Sequence, residues 1–329
     1  MLTKFAAVAF AIGVTSALPV PTGTWPESTG VVQNPAPLTI KAGEVFDGKM
    51  QTYERSDITC QGQKESGKKD AVFLLEPGAT LKNVIIGKNQ MEGVHCDQHD
   101  CVLENVWWDD VCEDAFSVKG GTASSVTEIR GGGARYADDK VIQHNGLGKV
   151  IIDGFFAQDF GKLYRSCGTC GAKTREVEVS NVYVVNPKSS VVTVNVDNND
   201  KATLKNVYVE STKKNLKVCA KSYSTDGAEP TEAGSGADGK ICIFEESDIH
   251  LNQKPSGSAS NSTTVPTTVP STTPTTVPSK TPSPTNDEGS DDDETPEPVD
   301  DDDEADGDAD ASSSPTPAKT GCRTRRRRN

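Results

Sequence analysis

Glu92, Asp114, Lys140 and Lys162 recur at intervals of 22, 26 and 22 residues in the middle of this chain of 329. If each interval is one turn of a coiled backbone, the four side chains stack on one wall, acidic at one end and basic at the other. Arg165 follows three residues after the last of them. Such a wall can hold a cation and, beside it, an anionic substrate. The segment Trp107-Trp108-Asp109-Asp110-Val111-Cys112-Glu113-Asp114 is the densest acidic stretch of the central region. On a strand Asp110 and Asp114 share a face, with Glu113 reaching in from the adjoining bend. Together with Glu92 one coil earlier they make an oxygen cage suited to a hard cation, calcium before others. The basic members suit removal of a proton α to a carboxylate. The cation and Arg165 draw charge from the substrate carboxylate, and a lysine, its pKa lowered by neighbouring cations, takes the acidified proton.

The elements that must position these residues show the same period. Residues 81–86, 103–107, 179–183 and 204–208 are copies of one short motif of the type Leu-x-Asn-Val with aromatic or β-branched followers, and weaker copies sit at 127–131 and 150–154. Taking Asn83, Asn105, Arg130, Asp153, Asn181 and Asn206 as equivalent gives steps of 22, 25, 23, 28 and 25 residues. Such a period marks a solenoid or another repeat array. Each copy is a short alternating β-branched run, and no stretch has helical amphipathicity, so the unit is strand. The expected fold is all-β, a parallel β-helix with roughly three strands per coil. The recurring Asn fits a left-handed turn that Gly, Asn and Asp adopt most cheaply, and stacked Asn side chains can bond to one another. At about 4.8 Å per rung the column from Glu92 to Lys162 spans roughly 15 Å.

The ends of the chain differ from its middle. Residues 1–17 carry Lys4, an apolar run at 5–14 and the small residues Thr15-Ser16-Ala17, the pattern of a secretory signal and too short for a membrane span. Residues 18–254 form the expected folded domain. Residues 255–329 begin with a Thr/Pro/Ser-rich stretch like an O-glycosylated stalk, with a sequon at Asn261-Ser262-Thr263, then an acidic run at 287–310 and an Arg-rich end at 323–328. Neither charged block can bury enough apolar area to fold, so this C-terminal tail is expected to be disordered. It holds 15 acidic and 7 basic residues, −8 of the net charge of −14, which leaves −6 for the rest. The acidic run is then a solvated spacer, and no hydrophobic lipid-anchor signal follows the arginines. The expectation is a secreted monomer with no nucleic-acid or membrane partner.

Eight of the nine cysteines lie in the central region and Cys322 in the tail. In an oxidising compartment they suggest disulfides. Proximity favours Cys96 with Cys101, Cys167 with Cys170 and Cys219 with Cys242, leaving Cys60 with Cys112. The alternative for His95, Cys96, His99 and Cys101 is a zinc site.

Glu92-Gly93-Val94-His95, the segment from Trp108 through Glu113-Asp114-Ala115, Val118-Lys119, Ala137-Asp138-Asp139-Lys140 and Gly161-Lys162-Leu163-Tyr164-Arg165 are ordered and spaced as in polysaccharide lyase family 3 pectate lyases, and the chain resembles that family from about Phe46 to Ser247. The resemblance implies a right-handed parallel β-helix and calcium-dependent β-elimination of de-esterified homogalacturonan, the polygalacturonate of plant cell-wall pectin. It implies that Glu92, Glu113 and Asp114 bind calcium, with Asp110 an additional ligand. Lys140 matches the general base, and Lys162 and Arg165 match the residues that hold the substrate carboxylate. The family often has Asp where this chain has Glu92. Two other classes use the same fold. A β-helix glycoside hydrolase would use the carboxylates directly and need no obligatory metal, although its His-Gly motif is absent. A non-catalytic wall-binding protein would keep the fold without turnover.

Overall fold

The computed structural model describes residues 17–256. The stalk, acidic run, terminal arginines and Cys322 lie outside the described residues, as does all but the last residue of the expected signal. Within them the chain is a parallel β-helix, and its two helical pieces are single 3-10 turns at Lys68–Asp70 and Glu246–Asp248. No helix among the described residues is long and apolar enough to cross a membrane.

Each central coil contributes one strand to a nine-stranded sheet and a bent strand, or strand pair, to a twelve-stranded sheet. The nine-stranded sheet runs through Leu38–Ile40, Ala71–Leu75, Glu92–Cys96, Asp114–Val118, Lys140–His144, Lys162–Ser166, Ser190–Asn195 and Lys217–Tyr223, all parallel. Thr231–Ser235 closes its C-terminal edge antiparallel to Lys217–Tyr223. The other two strands of each coil meet at a sharp corner, so the expected three per coil are present, with the second and third running into one sheet.

The corner explains the repeated asparagine. Asn83, Asn105, Asn181 and Asn206 have φ of 53° to 55°, the left-handed region that asparagine tolerates better than most residues. In the intervening coils the corner residues are Gly131 and Gly154, with φ of 67° and 71°. The repeat frame drawn from sequence therefore needs a one-residue correction at two coils. Arg130 lies abreast of Glu104, and Asp153 abreast of Ser180, so neither is equivalent to the neighbouring Asn. Asn105 Nδ2 donates to Asn83 Oδ1 at 2.9 Å and Asn206 Nδ2 to Asn181 Oδ1 at 2.8 Å. Asp153 continues the ladder from one position earlier by accepting from Asn181 Nδ2 at 2.7 Å.

Register carries like residues into stacks through the core. Phe73, Val94, Phe116, Ile142, Tyr164, Val192 and Cys219 form one inward row. Leu81, Leu103, Ile129, Ile152, Val179 and Leu204 form another, each no more than 1% exposed. Each such side chain contributes roughly 1.5–3 kcal/mol of burial free energy, and the rows together resist any slip of register. Among the described residues four disulfides form: the three pairs that proximity favoured, Cys96–Cys101, Cys167–Cys170 and Cys219–Cys242, and the remaining pair, Cys60–Cys112. The zinc alternative is thereby overturned, since Cys96 and Cys101 bond to each other. His99 turns inward, toward Thr127 and His144.

Candidate active site

The proposed column exists as a register row. Lys140 lies abreast of Asp114 on one side and Lys162 on the other, each the first residue of its strand. Glu92 opens the preceding strand, whose pairing of Val94 with Phe116 puts it level with Asp114. Beyond Lys162 the row continues through Ser190 to Lys217. Opening a strand lets these side chains leave the bend onto the outer wall while the next residues turn into the core. A second row stands three positions along: His95, Ser117, Gln143, Arg165 and Thr193. Arg165 thus belongs to the neighbouring file of the same face.

The wall is more enclosed than a solvated rim. Glu92, Glu113, Asp114, Lys140 and Arg165 are all 4% exposed or less. Lys140 Nζ stands 3.1 Å from Asp139 Oδ2, 3.5 Å from Glu113 Oε1 and 3.8 Å from Asp114 Oδ1. Its nearest charged neighbours are therefore carboxylates, where the sequence reading placed cations around it. The reason is Asp139. It lies between the two lysines and pairs with Lys162 Nζ as well, and its own pKa stays below the usual value because Lys140 and Lys162 outweigh its burial. No role was read for Asp139 from sequence, although its place directly before Lys140 on a strand-opening bend was a signal.

The acidic end is unevenly assembled. Burial pushes the Glu113 pKa up to about 8 against the pull of Lys140, with Glu92 adding to the rise. Burial also holds the Asp114 carboxyl well above its usual range, again against Lys140. Asp114 Oδ1 is buried and accepts no hydrogen bond. Glu92 is oriented by Ser66 Oγ at 3.2 Å and His95 Nε2 at 3.2 Å, and His95 meets Asp97 at 3.3 Å through its other nitrogen. Burial opposes protonation of His95, but the hydrogen bonds its ring donates to Asp97 and Glu92 outweigh it and raise its pKa. Sequence reasoning placed His95 in the Glu92-Gly93-Val94-His95 motif and in the zinc alternative, and missed it as the partner of Glu92.

Asp110 departs from its expected place. The strand begins at Asp114 and residues 109–113 are not strand, with bends at 109–110 and 112–113, so the shared strand face for Asp110 and Asp114 is not formed. Asp110 is exposed, and its backbone carbonyl accepts from Gln90 Nε2 at 3.1 Å. Among the described residues no three acidic, histidine or cysteine side chains are gathered closely enough to form a ready cation cage, because the Lys140 ammonium stands among the acids. The donor set still suits a hard cation. Glu113 and Asp114 are carboxylates whose charge burial disfavours, and the orphaned Asp114 oxygen is the kind of acceptor a bound cation would satisfy.

Arg165 is held from behind. Its Nη1 donates to Ser222 Oγ at 2.8 Å, and a Cβ at Gly168 would lie 2.3 Å from its Nη2, so Gly168 leaves the space that the guanidinium fills.

Comparison with known proteins gives a consistent result. Residues 22–228 match the family model described as pectate lyase. A protein of Emericella nidulans named "Probable pectate lyase G" is 45% identical over 223 residues, covering 67% of this chain and 83% of that protein. Pectate lyase E of the same organism is 48% identical over 222 residues, covering 67% and 84%. Among solved structures, pectate lyase PelI from Erwinia chrysanthemi in complex with tetragalacturonic acid aligns with a TM-score of 0.53 at 25% identity, over 68% of this chain and 70% of that one. Pel3 from Pectobacterium carotovorum aligns with a TM-score of 0.52 at 26% identity, over 73% and 74%.

Proposed function

This chain belongs to the pectate lyase family, and from that premise we propose that it cleaves de-esterified homogalacturonan by calcium-dependent β-elimination, leaving unsaturated oligogalacturonides. The observation that carries this reading is the register row in which Asp114, Lys140 and Lys162 open three successive strands on one wall.

In this reading Lys162 and Arg165 bind and orient the carboxylate of the uronate to be cleaved. Arg165 offers a planar fork matched to a carboxylate, whereas Lys162 supplies a point charge tethered by Asp139. Lys140 is the general base. Its amine takes the C5 proton, the released electron pair forms the C4–C5 double bond, and the bond from C4 to the glycosidic oxygen breaks, the departing oxygen taking a proton from water to become a hydroxyl. Asp139 fixes the distance between the two amines, since it touches both. Calcium would be held by Glu92, Glu113 and Asp114, with Asp110 left outside that set on its exposed bend; it would withdraw charge from the substrate carboxylate and engage Glu113 and Asp114, which otherwise pair with Lys140. His95 and Ser66 keep Glu92 turned to the same side. Secretion fits a chain with four disulfides, which persist in oxidising compartments.

The test is an ultraviolet assay on polygalacturonate with and without chelator. A lyase generates absorbance from the conjugated uronate and loses it when calcium is removed. New reducing ends without that absorbance would replace this reading with a hydrolase, and binding without either product would replace it with a wall-binding protein.

A further inference from the structure

Behind Arg165 the coil interior holds a polar network with a single sense of direction. Asp200, Ser166, Asn195 and Arg175 are fully buried and Ser222 is 6% exposed. Ser166 Oγ donates to Asp200 Oδ2 at 2.5 Å, so its proton is spent there. Asp200 also accepts from the backbone N–H of Asn195 at 2.8 Å and of Arg175 at 2.9 Å. Asn195 Nδ2 faces Cys167 O at 2.8 Å, Ser166 Oγ at 3.2 Å and Ser166 O at 3.3 Å, all acceptors. The amide must therefore point its Oδ1 the other way, at Ser222. Ser222 Oγ donates its one proton to that oxygen at 2.8 Å rather than to Val194 O at 3.4 Å, and one of its lone pairs accepts from Arg165 Nη1 at 2.8 Å. Each step fixes the polarity of the next, and the chain of donors and acceptors ends on the guanidinium.

A serine hydroxyl left to itself would rotate. Here the Asn195 oxygen holds it with the lone pair toward Arg165. We propose that Ser222, set by Asn195, is a positioning residue for the elimination: it fixes one nitrogen of Arg165 so that the guanidinium meets the uronate carboxylate in a single orientation. The inference rests on the role given above to Arg165. Two substitutions far apart in sequence, at 195 and 222, thereby bear on one substrate contact.

A double-mutant cycle tests it, using Arg165→Ala, Ser222→Ala and the pair, with Ser222→Thr as the hydroxyl-retaining control. Activity on polygalacturonate is read by ultraviolet absorbance at saturating calcium, and fold by circular dichroism. Loss of a hydrogen bond to a charged group predicts a fall in kcat/KM of about tenfold to a hundredfold for Ser222→Ala. The threonine variant should return to within about threefold of wild type, as its hydroxyl restores that bond. In the Arg165→Ala background Ser222→Ala should have no further effect. An equal loss in that background would mean that Ser222 acts on the fold and not through Arg165, which overturns the proposal. Wild-type activity of Ser222→Ala alongside an impaired Arg165→Ala overturns it too, and leaves the role of Arg165 standing. Wild-type activity of Arg165→Ala would remove that role and this inference together. Should the alanine variant lose its fold, Ser222→Cys, closer in volume and a weaker partner, carries the same cycle.

Discussion

Replacing Lys140 with alanine separates its chemical role from its structural one. The ammonium has three buried carboxylate partners, at 3.1, 3.5 and 3.8 Å. With an effective dielectric of about 20, each contributes about 4–5 kcal/mol of raw attraction, most of which the desolvation of the charges offsets. Removing one partner of a buried ion pair typically costs about 3–5 kcal/mol. The low end applies here, since Glu113, with its pKa pushed up to about 8, and Asp114, raised as well, can take up protons instead of staying charged. A loss of about 3 kcal/mol lowers Tm by about 6–12 °C in a domain of this size. Calcium should restore most of that loss, because a divalent ion among Glu92, Glu113 and Asp114 replaces the missing positive charge. It should not restore turnover, since a general base contributes about 10²–10⁴-fold. The expected outcome at saturating calcium is a Tm near wild type with kcat reduced by about that factor, measured by circular dichroism and by ultraviolet absorbance of the product. Turnover that returns in step with Tm would show that Lys140 serves the fold alone, and the assignment of the base would fall.

Without calcium, the protein should lose stability as pH rises from about 4.5 to about 8, because burial holds the folded-state pKa of Glu113 at about 8 and that of Asp114 well above its unfolded value. Their contribution is complete below the unfolded value and lost as pH climbs through the folded one; a Tm that rises over this window would contradict the burial argument, and calcium should flatten the profile. Asn181→Ala forfeits a residue suited to its φ of 53° and hydrogen bonds to Asp153 and Asn206. Denaturant titration should find it destabilised by about 2–4 kcal/mol with kcat unchanged, as the ladder lies away from the column. The paired change Cys60→Ser with Cys112→Ser opens a link of sequence separation 52. It should cost about 4 kcal/mol and raise the calcium needed for half-maximal activity, because Cys112 anchors the bend that carries Glu113; an unchanged calcium titration would show that the bend holds itself.

Much of the architecture was legible along the chain because a solenoid is built from local repeats. A strand pattern recurring at one period fixes what each coil contains, and the coil spacing of Glu92, Asp114, Lys140 and Lys162 fixes their row once parallel pairing is granted. The cysteines were readable for the same reason, since three of the four bonds join residues at most 23 apart in sequence. The frame failed at Gly131 and Gly154, where glycine takes the corner and the resembling Arg130 and Asp153 fall one residue short of it. The corner requires a backbone angle and not a side-chain type.

What only the folded chain decided are distances between residues on different coils and at different bends. The sequence put two lysines above an acidic cluster, but not Asp139 between them, nor Asp110 left on an exposed bend because its strand starts at Asp114. It gave no sign that Arg165 leans on Ser222, a residue 57 positions away. Periodicity determines which rung a residue occupies. Burial and hydrogen-bond geometry, set by every neighbouring rung together, determine where its charged end comes to rest and therefore what it can do.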